Sequence, residues 1–178
     1  IGMIIGGKLH YGKSGFSGEY GHFPFFDNEI ICSCGKRGCL ETEVSGWAAH
    51  RMFMDKIKQG NISMLSKHNQ EVNDVTLNDI LDVLAKEDML AIEIMEQIGS
   101  SLGRAIAGLI NMFNPEVVVL GGTLSAAKDY LLLPIKSAIN KYALNFVSKD
   151  TAIKVSKLGE TAGLVGICAI TRNRTLGL

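Results

Sequence analysis

Asn114-Pro115-Glu116-Val117-Val118-Val119-Leu120-Gly121-Gly122 is the stretch on which the fold turns. Four consecutive apolar residues, three of them β-branched, are the pattern of a short strand covered on both faces, and a glycine pair ends it. Upstream, apolar residues recur at helical spacing from Met89 to Phe113, and Asn114-Pro115 stops that helix. Its small residues Gly99, Ser100, Gly103, Ala107 and Gly108 allow another element to approach closely. Downstream the pattern predicts a helix from Tyr130 to Phe146, an alternating strand from Ile153 to Leu158 and a small-residue helix from Thr161 to Arg174. Strand and helix in alternation argue for an α/β protein.

Further out, Ser45 to Gln59 reads as a helix with Gly60 as its stop, and another begins after Thr76. Thr76-Leu77-Asn78-Asp79 is a variant of the capping box, which gives Asp79 a structural task. Met3 to Tyr11 reads as two short strands around Gly6-Gly7, a hairpin. The chain opens on Ile1 in strand-like sequence, so an upstream segment is expected. Trp47, Met52, Phe53 and Met54 lie on a helix and are read as core, and Cys168 as a small buried hydrophobe.

The 178 residues are 47% hydrophobic and 20% charged, with 18 Lys+Arg against 18 Asp+Glu. That composition suits one globular domain with a core large enough to need neither disulfide nor metal for stability. The balanced charge lacks the basic footprint of nucleic-acid binding, so any DNA-binding part must lie elsewhere. No apolar run reaches the roughly 18 residues of a membrane span and no signal peptide begins the chain, so no membrane partner and a cytoplasmic location are expected. The sequon Asn61-Ile62-Ser63 is then a chance match.

Chemistry concentrates in Cys32-Ser33-Cys34-Gly35-Lys36-Arg37-Gly38-Cys39, with His22 ten residues before the first cysteine. Three thiolates and an imidazole make a closed tetrahedral zinc site. Gly35 and Gly38 permit the turns that aim several sulfurs at one point, and Lys36 and Arg37 offset thiolate charge. A disulfide is disfavoured in the cytosol and inert core thiols by the polar, glycine-rich surroundings. Four protein ligands leave no open position, so such an ion fixes a loop and activates no water. Glu19 and Glu41 flank the cluster, and carboxylates beside an imidazole N–H suit a polyol or sugar.

Two other patterns need weighing. Gly7-Lys8-Leu9-His10-Tyr11-Gly12-Lys13-Ser14 satisfies G-x-x-x-x-G-K-[ST], but a phosphate loop leads from a buried strand into a helix, and here Lys8 to Tyr11 is itself strand-like. Gly12, Gly15, Gly18 and Gly21 recur every third residue, too briefly for a repeat protein, and mark a shaped loop.

Gly18-Glu19-Tyr20-Gly21-His22 followed by the cysteine cluster and Leu40-Glu41 resembles the signature of the ROK family of repressors, open reading frames and sugar kinases. Leu109 to Gly122 and Gly159-Glu160-Thr161-Ala162-Gly163-Leu164-Val165-Gly166 are similar to two further family motifs. The resemblance implies the actin-like, sugar kinase and Hsp70 type of fold, in which residues 1–178 form the C-terminal lobe. Within it lie a zinc and sugar motif at 18–41, a nucleotide-type motif at 111–122 and a final helix at 161–174. The N-terminal lobe and any DNA-binding domain would lie outside this chain. It further implies that Glu19, His22 and Glu41 contact sugar hydroxyls, that His22, Cys32, Cys34 and Cys39 hold zinc, and that Gly121 and Gly122 lie at ATP and magnesium in kinase members. Homodimers or homotetramers are implied as well.

Family kinases carry an Asp-Gly-Thr phosphate loop and an Asn-Asp pair ahead of the Gly-Glu motif. Neither precedes Ile1, and Asn73-Asp74 and Asn78-Asp79 follow the zinc motif, so no catalytic residue is assigned. The aromatic stretch from His22 to Ile31 and Leu40-Glu41-Thr42-Glu43-Val44-Ser45-Gly46 resemble regulator members. The expected function is a sugar-sensing regulator domain responding to a sugar or sugar phosphate. The alternatives are the C-terminal lobe of an ATP-dependent hexose kinase, and a purely structural zinc module, which leaves Glu19 and Glu41 without a task.

Overall fold

Helix α4, Met89–Phe113, is the spine on which the other elements are laid. The structure is a computed structural model that describes residues 1–67 and 75–177, so Asn73-Asp74 lies outside the described residues. One stripe of α4, including Ile94, Met95, Ile98 and Ile110, is fully buried, each such side chain stabilising the fold by roughly 1.5–3 kcal/mol. Against it pack α2 (Gly46–Lys58), α3 (Leu77–Leu84) and α5 (Asp129–Tyr142). Gly103 sits so close to α5 that a Cβ there would come within 2.5 Å of the Ile135 carbonyl oxygen. Of the small residues of α4, Gly99 and Gly103 are therefore the contact with α5, while Ser100 and Gly108 are exposed. α4 stops at Asn114, which adopts the left-handed conformation (φ 42°) before Pro115.

Its N-terminus is capped by Asp88, 4% exposed, which accepts from the Ala91 N–H at 3.0 Å, the Met64 N–H at 2.7 Å and the Ser63 hydroxyl at 2.9 Å. Ser63 of the Asn61-Ile62-Ser63 triplet is thus a buried structural residue. Thr76 and Asp79 form the expected capping box at α3, and the bonds from Thr76 hold the Asp79 carboxyl below its ordinary pKa.

β3 (Val117–Leu120) pairs in parallel with β4 (Ala152–Val155), Val117 opposite Ala152 and Leu120 opposite Val155. The α5 crossover makes this a parallel β-α-β unit, and the α/β reading holds. The hairpin also forms, β1 (Ile4–Ile5) with β2 (Lys8–Leu9) antiparallel. α1 (Glu41–Val44), α6 (Asn145–Ser148) and α7 (Ala162–Leu176) complete the helices.

Four expectations are corrected. β3 is not covered on both faces: among the described residues it pairs only with β4, and Val119 is 59% exposed. The helix begun near Tyr130 ends at Tyr142, because Asn111 of α4 accepts from the Leu144 N–H at 2.9 Å and donates to the Tyr142 carbonyl at 3.4 Å. Cys168 is exposed, since α7 buries no residue. Met52, Phe53 and Met54 are core, but Trp47 is half-exposed on the outer face of α2. No described helix is long and apolar enough to cross a membrane.

Candidate metal and ligand site

The segment from Glu19 to Glu41 folds back on itself through main-chain bonds. Tyr20–His22 forms a single 3-10 turn, and the Tyr20 hydroxyl donates to the Ala105 carbonyl at 2.9 Å, tying that turn to α4. Partial burial raises the Tyr20 pKa, so the phenol stays a donor. The returning arm is held where the Phe25 and Phe26 N–H groups donate to the Gly38 carbonyl at 2.8 and 3.0 Å and the Leu40 N–H to that of Phe23 at 2.9 Å. Gly38 is obligatory twice over. Its φ is 72°, and a Cβ would lie 2.1 Å from the Phe26 carbonyl oxygen. Gly35 also has positive φ, 83°, but faces open space. Both turns expected from these glycines are present.

They bring His22, Cys32, Cys34 and Cys39 together, with one ligand atom from each lying within 4.8 Å of all the others. Cys34 and Cys39 sulfurs are 3.6 Å apart, and Cys32 Sγ is 3.4 Å from His22 Nδ1. Bonds of about 2.3 Å to sulfur and about 2.0 Å to nitrogen at tetrahedral angles place such atoms about 3.5–3.8 Å apart. The set matches a zinc ion, and the sulfur separation is far beyond the roughly 2.05 Å of a disulfide. The cysteines are free. Without a cation their thiols diverge. The Cys34 N–H, above all, draws Cys32 down to about 6, while burial and the neighbouring sulfurs push Cys39 up to about 12. A dication removes the conflict, because it favours the thiolate of each. Of the two basic residues, Arg37 is engaged by Glu29 on the same loop.

His22 joins this cluster to the two carboxylates. Its Nδ1 faces Cys32 and also lies 3.7 Å from Glu41 Oε2, and its Nε2 lies 3.7 Å from Glu19 Oε2. With Nδ1 on a metal, Nε2 carries the proton and points toward Glu19. Separations of 3.7 Å are too long for direct hydrogen bonds, so neither carboxylate is hydrogen-bonded to the imidazole. Glu19 and Glu41 side chains are 65% and 44% exposed, so their acceptors remain available to a hydroxyl-bearing ligand.

Gly121 and Gly122 are placed apart from this cluster in the chain, at the C-terminal end of β3, where α/β sheets bind ligands. Gly122 has φ 84° and open space around its Cα, whereas a Cβ on Gly121 would make an ordinary contact with Ser156. Gly7 to Ser14 runs from the hairpin turn through the edge of that hairpin, β2, into a loop, and no helix directly follows the strand. Sequence reasoning missed the supports of the site: Tyr20 on Ala105, Arg104 stacked 5.2 Å over Phe25, and Asn28 donating to Glu43 at 2.8 Å. Each joins residues distant in sequence by a side chain that carries no local signal.

A model of the ROK family matches residues 1–174. The chain is 34% identical over 166 residues to a glucokinase of Halalkalibacterium halodurans, covering 93% of this chain and 50% of that protein. It is 32% identical over 177 residues to the DNA-binding transcriptional dual regulator NagC of Escherichia coli, covering 99% of this chain and 42% of that protein. The chain thus spans about half the length of these curated relatives. Among solved structures, a ROK family transcriptional regulator described as a homolog of the E. coli MLC protein superimposes with TM-score 0.78 at 32% identity, over 86% of this chain and 38% of that one. A ROK family glucokinase from Streptomyces griseus, in complex with glucose and AMPPNP, gives TM-score 0.80 at 26% identity over 93% of this chain and 54% of that one. The architecture is accordingly that of the actin-like, sugar-kinase type of α/β fold.

Proposed function

Given that the chain belongs to the ROK family, we propose that it is the sugar-sensing domain of a transcriptional regulator, with a structural zinc ordering its sugar site. The observation that carries the sugar reading is the position of His22: it shares in the cysteine cluster and stands 3.7 Å from each of two exposed carboxylates. In this reading Glu19 and Glu41 accept from sugar hydroxyls and His22 donates through Nε2. Zinc, held by His22, Cys32, Cys34 and Cys39, neutralises the thiolates and fixes the loop; the closed ligand set leaves it no part in activating water. Residues 1–178 would be the C-terminal lobe, and a sugar bridging it to a second lobe would shift lobe closure, which a DNA-binding domain elsewhere in the protein reads. The shift equals the sugar's differential affinity for the two states. The aromatic loop, clamped by Arg104 on Phe25, and the 32% identity to the regulator structure support the regulator side.

The 34% identity to a glucokinase and the positive-φ glycine ending β3 favour a second reading, the C-terminal lobe of an ATP-dependent hexose kinase. There Gly121 and Gly122 would approach the phosphates of ATP and magnesium. Calorimetric titration with glucose, N-acetylglucosamine, the 6-phosphates of these two, xylose and xylose 5-phosphate tests both. At least one should bind, and Glu41→Gln should weaken it roughly ten- to a hundredfold, the loss of a charged acceptor. Unchanged affinity in the variant, or no binding by any of the six, would overturn the site. ATP-dependent turnover of a bound sugar would replace the regulator by the kinase.

A further inference from the structure

A concavity of ≈ 290 Å³ next to the cluster is lined by Ile31, Cys32, Ser33, Glu41, Thr42 and Trp47, and by neither Glu19 nor His22. Glu41 is the one proposed sugar ligand that also borders it. The volume is near the lower end of the roughly 300–1,000 Å³ of ligand sites, room for one ring. One of its lining residues, Trp47, leaves 54% of its surface exposed although the two residues after it, Ala48 and Ala49, are fully buried.

That indole is held in place. Ser45 caps α2 by accepting from the Ala48 N–H at 3.1 Å, and Gly46 lies against α3 so closely that a Cβ would meet Leu77 Cδ2 at 2.7 Å. One turn on from Trp47, Arg51 stacks its guanidinium 5.5 Å from the indole centroid. Arg51 is itself fixed by the Thr42 carbonyl at 3.1 Å and Glu43 at 3.3 Å. Ile31, also in the lining, is 63% exposed, and its loop is fastened where Asn28 donates to Glu43. A rigid aromatic face beside a carboxylate matches the two sides of a pyranose: apolar C–H groups meet the ring while hydroxyls meet the acceptor. Preorganisation lowers the ordering cost of binding there.

We propose that this concavity is a second subsite, which takes the next ring of a glycoside whose first ring is held by Glu19, His22 and Glu41, with Trp47 as the stacking platform that sets specificity. It rests on the sugar-site reading above. The test is calorimetric titration of the protein with glucose, xylose and N-acetylglucosamine, each beside its β-1,4-linked disaccharide: cellobiose, xylobiose and chitobiose. One disaccharide should bind at least tenfold more tightly than its monosaccharide. Trp47→Ala should erase that advantage and leave monosaccharide affinity within twofold, with Trp47→Phe retaining part of it. Trp47 is the single tryptophan of the 178 residues, so a disaccharide and not a monosaccharide should shift its emission in the unsubstituted chain. Monosaccharide binding with no disaccharide preference, or a preference that survives Trp47→Ala, overturns the subsite while the sugar site stands. Absence of binding by all six sugars overturns both.

Discussion

Replacing Gly38 by alanine should break the link between the turn and the metal. The residue sits at φ 72° with the Phe26 carbonyl oxygen 2.1 Å from where a Cβ would be, so alanine both strains the backbone and forces the two arms apart. A non-glycine residue held there costs about 1–3 kcal/mol. The bonds from the Phe25 and Phe26 N–H groups to Gly38 are lost with the separation, at about 0.5–1.5 kcal/mol each. The total is about 2–6 kcal/mol. A metal-free loop can relax away from this strain while the metal-bound loop cannot, so the cost falls on zinc affinity, which should drop at least about thirtyfold at the lower limit. Gly35→Ala is the matched control: its φ is 83° but nothing lies within 4 Å of the new carbon, so backbone strain is its main cost and its loss should be distinctly smaller. Competition titration against a chromophoric chelator reads both. Equal losses, or a Gly38→Ala protein with unchanged zinc affinity, would refute the steric argument.

Asp88→Ala should lower the stability of the fold by about 2–4 kcal/mol, since it removes a helix cap and strands the Ser63 hydroxyl, 2% exposed, and the Met64 N–H; a urea melt within 0.5 kcal/mol of the parent would contradict this. In zinc-free protein the thiolate absorbance of Cys32, held at about 6, should develop near pH 6 and vanish in Cys32→Ser, whereas a midpoint near the ordinary thiol value of about 8.5 would contradict the local bonding. Because Cys39 stands at about 12, it is still protonated at neutral pH and must lose its proton to become a ligand. Zinc affinity should therefore rise about tenfold or more from pH 7 to pH 8, and a flat profile would show that the thiol is already ionised.

Elements governed by neighbours in sequence were legible. The ends of α4 follow from apolar spacing and Asn114-Pro115, the start of α3 from Thr76 and Asp79, and the metal cluster from cysteine spacing and the two turn glycines. Features imposed from a distance were not. Asn111 ends α5 from 31 residues away, and Ser63 completes the Asp88 cap across 25. Val117 to Leu120 has the composition of a buried strand, but burial depends on what lies against it, and β4 is its one paired strand among the described residues. Trp47 has a core residue's chemistry, yet the helix phase set by Ala48, Ala49, Met52 and Phe53 turns it outward. The carboxylates of the site were identifiable as residues, while their convergence on the two nitrogens of His22 required the folded loop.

The central claim is that the metal cluster orders the sugar site, and it is tested most directly by titrating one sugar of the panel into zinc-loaded and zinc-stripped protein and into Cys34→Ser. The account predicts one zinc per chain, measurable sugar affinity only in the loaded protein, and loss of both zinc and sugar binding in the variant. Equal sugar affinity with and without zinc would contradict it.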